Sequence, residues 1–396
     1  MRIHQVVATL GYGDAIGHEV LAIQRVLREA GHESEIFVDN ADHRLEALTR
    51  DYRELIDCSH RDNLLLHHFS LFSRASRTAF ALPDRMALIY HNITPPEYFV
   101  GVHRRLTRGC YSGRRELRVY AGRCDLAMCD SEFNRQDLES LGFPRTTVLP
   151  VVPDFSHLDR DPQWMLAREF DDGATNVLFV GRVVPNKKIE DLIRVFHAYQ
   201  TVFNPRARLL IVGTYTGFEK YLASLNHLTA TLGQSHVHFI GQVSDEQLVA
   251  FYEIADLFLC ASEHEGYCVP LVEAFYMGVP VLAYAATAVP ATMDGAGVLY
   301  KDKTPAHVAH LMDAMLSNAP LRDRIVDEQF AAVDRLRAKD FGGTLLGFVR
   351  SILAAPRAPA PKVAFDFWRQ FDALQQIEEL RLIRPAAFQA LPEAPC

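Results

Sequence analysis

Short apolar runs alternate with stretches of helical period from one end of the chain to the other. In the first half, the runs at 3–9, 34–38, 63–67, 86–91, 125–129 and 146–149 have the length of buried strands. Between the first two, Ile16, Val20, Ile23 and Leu27 share one face of a helix that Gly31 ends. The second half begins the pattern again. Strands are expected at 176–180, 207–212, 236–240, 256–260 and 279–283, with helices near 188–203, 217–232, 244–255 and 270–277. Ser244-Asp245-Glu246-Gln247 reads as a capping box that opens one of these helices. Strands separated by helices predict parallel sheets covered on both faces, so the fold class is α/β. Two such series in tandem predict two Rossmann-like domains, covering 1–153 and 154–355. Pro150-Val151-Val152-Pro153 is the expected hinge, because two prolines interrupt either kind of element. After about 354 the spacer Ala355-Pro356-Arg357-Ala358-Pro359-Ala360-Pro361 is stiff and extended. An amphipathic helix at 365–380, within a C-terminal segment at about 363–396, is expected either to return to the first domain or to form a loosely held tail.

Composition narrows the function. The 396 residues suffice for two domains, and 49% hydrophobic with 23% charged residues is an ordinary globular balance. A net charge of −8 argues against a protein that coats nucleic acid. Seven cysteines without metal-site spacing suggest reduced thiols in a cytosol. Met1-Arg2-Ile3-His4-Gln5-Val6 enters a strand directly, without an apolar signal core. With no apolar run of about 18 residues either, the expected location is cytoplasmic.

The most informative local pattern is Ser262-Glu263-His264-Glu265-Gly266-Tyr267-Cys268-Val269-Pro270-Leu271-Val272-Glu273-Ala274. Glu265 falls in a loop after an apolar strand, and Glu273 about one turn inside a helix that starts near Pro270. A helix start offers unpaired N–H groups and a partial positive charge to phosphate, while carboxylates accept hydrogen bonds from sugar hydroxyls. Together they point to a sugar nucleotide. Arg182 follows the strand at 176–180 at the carboxyl edge of its sheet, where open α/β sheets bind ligands, and Lys187 follows soon after. A guanidinium fork and an ammonium suit phosphate, although basic residues at a strand end often only solvate a loop.

In order and spacing, four pieces resemble glycosyltransferase family 4, whose members have the GT-B fold. They are Gly181-Arg182 with Lys187, Phe239-Ile240-Gly241-Gln242-Val243-Ser244, the Glu265–Ala274 segment, and Gly278-Val279-Pro280-Val281. The resemblance implies two Rossmann-like domains facing a central cleft. It implies a retaining transferase that moves a sugar from a nucleoside diphosphate to a saccharide or lipid-linked acceptor, in the building of bacterial surface polysaccharide. It also implies roles. Arg182 and Lys187 would neutralise the donor diphosphate, Glu265 would bind the transferred sugar, and Glu273 the ribose. The backbone of Gly266, Tyr267, Cys268 and Val269 would cradle sugar and phosphate, and Gly241 to Val243 would meet the base. No cofactor beyond the nucleotide-sugar co-substrate and no metal is assigned, because cations and amides preorganised at the leaving group suffice. Lys188 and Cys268 stand where the family usually has glycine, and Ala291 where it often has glutamate; these departures bear on which sugar is used.

The first half adds two signals. Leu10-Gly11-Tyr12-Gly13-Asp14-Ala15-Ile16-Gly17 joins the first strand to the first helix. Its glycines allow close backbone approach, and in the family the matching loop (here Gly11, Gly13 and Asp14) faces donor and acceptor. The alternative is a tight turn, which fits Gly17 best. His91 ends a strand before Asn92-Ile93-Thr94-Pro95-Pro96, and the matching family histidine lies near the reacting centre. His67 and His68 also end a strand and are read as ordinary loop or core residues.

Residues 103–123 hold seven arginines, of which Arg104, Arg108, Arg115 and Arg118 fall on one helical stripe. The stripe would meet anionic lipid head groups, giving peripheral contact with the membrane, or form a solvated face with partners such as Glu116. Two other functional readings stand beside the transferase: a catalytically silent GT-B binding protein, and a GT-B sugar-nucleotide epimerase.

Overall fold

The computed structural model describes the chain except for Tyr12 and residues 152–153, 360–362, 365, 372–379 and 390–396. Val152 and Pro153 of the expected hinge lie outside the described residues, as do parts of the spacer and of the 365–380 helix. The chain divides into two compact units, Met1–Val152 with Asp340–Cys396, and Pro153–Lys339.

In the first unit the elements run β1 (Ile3–Leu10), α1 (Ala15–Glu29), β2 (Ile36–Ala41), β3 (Thr49–Asp51), α2 (Leu55–Cys58), β4 (Leu64–Phe69), α3 (Arg74–Ala81), β5 (Arg85–Tyr90), α4 (Arg104–Tyr120), β6 (Leu126–Cys129), α5 (Glu132–Ser140) and β7 (Thr146–Val148). The seven-stranded sheet has the order β3-β2-β1-β4-β5-β6-β7, and every pair is parallel. The chain winds one way from β1 and then the other, so β1 and β4 flank a switch point whose carboxyl edge is a natural ligand position. The expected helix face is buried at Val20, Ile23 and Leu27.

The second unit repeats the design with β8 (Asn176–Val180), α6 (Ile189–Val202), β9 (Arg208–Val212), α7 (Glu219–Thr231), β10 (Val237–Gly241), α8 (Asp245–Glu253), β11 (Leu257–Cys260), α9 (Val269–Tyr276), β12 (Val281–Tyr284), α10 (Val289–Met293), β13 (Val298–Tyr300), α11 (Pro305–Ser317) and α12 (Ala319–Arg337). Its parallel sheet has the order β10-β9-β8-β11-β12-β13, so β8 and β11 flank the switch point. The capping box at Ser244 forms, with Ser244 Oγ accepting from the Gln247 N–H and Gln247 Oε1 from the Ser244 N–H.

The chain returns to the first unit earlier than 355. Helix α13 (Phe341–Ala354) belongs to that unit, where Leu345, Val349 and Ile352 join Ile3, Ile23, Leu64, Ile89 and Met128 in one buried cluster. Amphipathic spacing shows that a helix has an apolar face but not which core it covers, so the expected boundary missed this crossing. Beyond α13, Arg85 donates to the carbonyls of Leu353 and Ala355, and the Ala358 N–H donates to Asp125. Phe367 and Trp368 pack on Phe80 at ring-centroid distances of 5.6 and 5.2 Å.

Helix α4 forms despite its glycines, because they face inward: a Cβ on Gly113 would stand 3.1 Å from the Phe72 nitrogen, and one on Gly109 3.1 Å from Leu71. Glu116, named above as a partner for the stripe, is fully buried and ion-paired with Arg77 of α3. Arg115 lies 4.3 Å from the Tyr111 ring centroid, while Arg104 and Arg118 are exposed. Among the described residues no helix is long and apolar enough to cross a membrane.

Candidate active site

In the second unit, two loops rise from the strands that flank the switch point. After β8 the chain passes Gly181 and Arg182 to a short turn at Pro185–Lys187; after β11 it passes Ser262 to Glu265 and enters α9. Asn186 ties the loops together. Its carbonyl accepts from the Glu263 N–H at 2.9 Å, and its amide donates to the His264 carbonyl at 3.0 Å. The Glu265 N–H donates to Thr287 Oγ1 at 2.9 Å. Glu265 is therefore fixed through its backbone while its buried carboxylate accepts from the ammonium of Lys187. Burial alone would lower the Lys187 pKa, but Glu265 and then Cys268 outweigh it, so the lysine stays cationic.

Glu273 lies on α9 as expected and is also buried. One of its oxygens accepts from the Tyr252 hydroxyl and the other meets His157 Nε2, both at 3.0 Å. Burial lowers the basicity of His157, but the Glu273 hydrogen bond and charge, with the Asp154 carbonyl, together outweigh it and raise its pKa. Burial, then the neighbouring Glu273 charge, keeps the Tyr252 phenol protonated as a donor.

Two sequence-named groups thus gather in one cluster, Glu265 with Lys187, and Glu273 forms another with its own partners. Arg182 is exposed and stands over Phe218, 5.6 Å from the ring centroid. Gly241 ends β10 with a φ of 82°, and Val243 packs against the second unit's core. Gly266 and Tyr267 lead into α9, of which Val269 is the first residue. Cys268 precedes it with a φ of 81°, the left-handed region that explains why glycine suits the position. Asp159-Arg160-Asp161 has the Asp-x-Asp spacing of metal-dependent transferases, a signal passed over above. In the structure Asp159 accepts from the Tyr276 hydroxyl, and Arg160 pairs with Asp245 and Glu246.

The first unit has its own cluster at the carboxyl edge, drawn from β1, α1, β4, β5 and the residue after β6. Gln5 donates its amide N–H to the Val20 carbonyl at 3.0 Å, which fixes its oxygen as the acceptor for His68 Nε2 at 2.9 Å. His68 Nδ1 is then the acceptor for His91 Nε2–H at 2.8 Å. The other nitrogen of His91 reaches Asp130 Oδ2 at 3.2 Å, with a Glu19 oxygen at 3.7 Å. Both nitrogens of His91 act as donors, which makes it an imidazolium. Burial opposes that charge, but Asp130, by charge and hydrogen bond, and then Glu19 and Asp14 raise its pKa to about 9. Burial and then Asp130 push Glu19 upward, whereas burial and His91 hold His68 neutral.

The reading of His68 as an ordinary residue is therefore refined: it is buried, and it orients His91 by accepting its Nε2–H. His67 is a core residue, bonded to Ser76 at 3.0 Å. Asp14 caps α1, its Oδ1 accepting from the Gly17 N–H at 2.6 Å. A Cβ on Gly11 would stand 2.1 Å from that carboxylate, and one on Gly17 2.4 Å from the Gly11 carbonyl oxygen, so this turn has packing reasons of its own for glycine. Gly13, with a φ of 71°, has open space around it. Asn186, His157, Tyr252, Glu19 and Asp130 gave no sequence signal, because strand register and chain crossings bring their partners to them.

Residues 162–330 match the model of the glycosyl transferases group 1. Over 168 residues the chain is 34% identical to a D-inositol 3-phosphate glycosyltransferase of a Mycobacterium species, a stretch covering 41% of this chain and 37% of that protein. Over 139 residues it is 27% identical to the O-antigen chain mannosyltransferase B of Escherichia coli, covering 35% of this chain and 36% of that one. The matched stretch thus spans little more than a third of these relatives. Among solved structures, Anabaena HepE in complex with UDP-glucose superposes with a TM-score of 0.70 at 16% identity, over 89% of this chain and all of that one. Sucrose-phosphate synthase from Thermosynechococcus elongatus gives 0.68 at 16% identity, over 90% of this chain and all of that one. Residues 162–330, most of the second unit, thus resemble the group 1 glycosyl transferases, and the two parallel α/β units share the GT-B fold of the solved neighbours.

Proposed function

We propose that the protein transfers a sugar from a nucleoside-diphosphate sugar to a saccharide or lipid-linked acceptor, with retention at the anomeric carbon. The observation that carries this reading is the buried Glu265–Lys187 pair at the switch point of the second sheet, with Glu273 close by on α9. Lys187, Arg182 and the N–H groups at the start of α9 suit the donor diphosphate. Glu265 suits sugar hydroxyls, and Glu273 suits the ribose by exchanging the His157 or Tyr252 hydrogen bond for one from the ligand. Gly241 and Val243 lie at the end of a strand suited to the base. In the first unit, Gly11, Gly13, Asp14 and His91 offer groups for the acceptor. In a front-face reaction the bond from the anomeric carbon to the diphosphate breaks as the acceptor oxygen bonds to that carbon. The leaving phosphate takes the acceptor proton, and the cations stabilise its growing charge. This route needs neither a metal nor a protein nucleophile.

A relative named as an O-antigen chain mannosyltransferase supports a role in surface polysaccharide, with a GDP-mannose-like donor. A neighbour bound to UDP-glucose makes UDP-sugars the other donors to try. Arg104 and Arg118 on α4 support peripheral contact with anionic lipid. Flotation with anionic vesicles should show that contact, and changing Arg104, Arg108, Arg115 and Arg118 to Gln should abolish it; equal flotation removes the membrane role. The reaction is tested with a panel of nucleotide sugars, following nucleoside diphosphate release with and without acceptor. Acceptor-dependent release is expected. Isomerised donor without acceptor would mean an epimerase, and absence of both binding and release would mean no enzyme of this class.

A further inference from the structure

Cys260 ends β11 and Cys268 caps α9, so the loop that carries Glu265 begins and ends on a thiol. The two sulfurs and a Glu265 oxygen lie within 4.8 Å of one another. Both cysteines are free; Cys260 is buried and Cys268 half-buried. Cys268 holds the left-handed conformation at a cost of about 1–3 kcal/mol, which glycine would avoid. Its backbone gives no reason for a side chain here, which leaves the sulfur to account for it.

We propose that Cys260, Cys268 and Glu265 bind a thiophilic divalent cation, Zn2+ above all, and that occupancy takes Glu265 out of donor binding. Zn–S bonds of about 2.3 Å in a tetrahedron put two sulfurs about 3.8 Å apart, and a carboxylate oxygen somewhat closer. The observed spacing reaches that geometry by shifts on the order of 1 Å. Two thiolates select Zn2+ over Mg2+ or Ca2+, which prefer all-oxygen sites. On binding, both thiols give up their protons to solvent and the sulfurs become ligands. A carboxylate oxygen of Glu265 completes three protein ligands, and the fourth position stays open to water. Lys187 then shares or loses its partner. The consequence for donor binding rests on the function proposed above, whereas the cation site does not.

The test uses tag-free, reduced, full-length protein, with Zn2+ in competition with a chromophoric chelator. Wild type should show one tight site. Cys268→Gly and Cys260→Ala should each weaken it by more than about tenfold, because loss of even an outer-shell partner costs about 10–100-fold. Cys268→Gly is the variant most secure in folding, since glycine accepts the local φ. Co2+ alone should give a sulfur-to-cobalt charge-transfer band in wild type that falls in both variants. Equal Zn2+ affinity in all three proteins, or a Co2+ spectrum without that band, overturns the site. UDP-glucose and GDP-mannose titrations with and without Zn2+ separate the two readings. Tight Zn2+ binding that leaves both donor affinity and acceptor-dependent turnover unchanged keeps the cation site and removes Glu265 from the donor pocket.

Discussion

The Glu265–Lys187 pair shows how burial gives one contact two consequences. The carboxylate and the ammonium are each largely withdrawn from water, so each is the other's compensating partner. Lys187→Met should therefore destabilise the second unit by about 3–5 kcal/mol by stranding Glu265, as urea unfolding would show. A loss below about 1 kcal/mol would mean the pair is solvated. The two glutamates should differ in kinetics. Glu273→Ala removes the acceptor of Tyr252 and His157 and, in the proposed site, the ribose contact. Donor binding should weaken by about 1–3 kcal/mol. Glu265→Ala should lower turnover more than donor affinity, because its proposed partner is the sugar that moves. Donor titration calorimetry and steady-state rates for both variants decide; equal small losses would contradict these roles. Glu265 and Glu273 were legible because a strand, a glycine turn and a helix start fall within one short segment. The partner of Glu265 was legible only as a separate basic residue, since pairing across β8 and β11 depends on sheet order.

Across strands, the first sheet joins residues far apart in sequence into one proton-ordering chain. Gln5, His68, His91 and Asp130 come from or next to β1, β4, β5 and β6, and their hydrogen bonds step diagonally across the parallel register, in which Gln5 faces Leu66 and His68 faces Val7 and Ile89. Strand-end histidines look alike in sequence, and only the family resemblance distinguishes His91 from His68. Gln5, whose amide is itself fixed by Val20, sets which nitrogen of His68 carries the proton, while Asp130 and Glu19 make His91 the cation. The chain has a pH consequence. His91 has a folded pKa raised from 6.5 to about 9, so the folded protein holds a proton that the unfolded chain releases between those values. Stability from this group is full below about 6.5 and is lost as pH rises through about 9. Glu19, also raised, has the same sign, since the folded state again keeps the extra proton. Urea unfolding of the first unit should show falling stability from pH 6.5 to 9, and His91→Gln should flatten the slope. Stability that rises over this range would refute the imidazolium assignment.

The chain as a whole was legible as two βα series, because length and period of apolar runs are local properties. Its path was not, because the last crossing depends on which exposed core a helix can cover. Leu345, Val349 and Ile352 recur at spacings of four and three, which fixes a helix and its buried stripe but leaves the partner open. The structure supplies the partner: the stripe covers the β1, β4, β5 and β6 side chains of the first sheet, together with Ile23 and Leu27 of α1. The first unit is thus built from both ends of the chain, while the second lies in one continuous stretch. Ending the chain after Lys339 should therefore damage the unit most distant from the cut in sequence. Exposing the apolar face beneath α13 removes three buried aliphatic side chains, each contributing about 1.5–3 kcal/mol. The sum is a large part of the roughly 5–15 kcal/mol by which a domain is stable. Scanning calorimetry should show the first unit's transition lowered or lost and the second unit's retained. Leu345→Ala in the full chain should lower the first unit's stability by about 2–5 kcal/mol, a smaller loss of the same kind. If truncation instead weakened the second unit and spared the first, α13 would belong where its position in the sequence suggested.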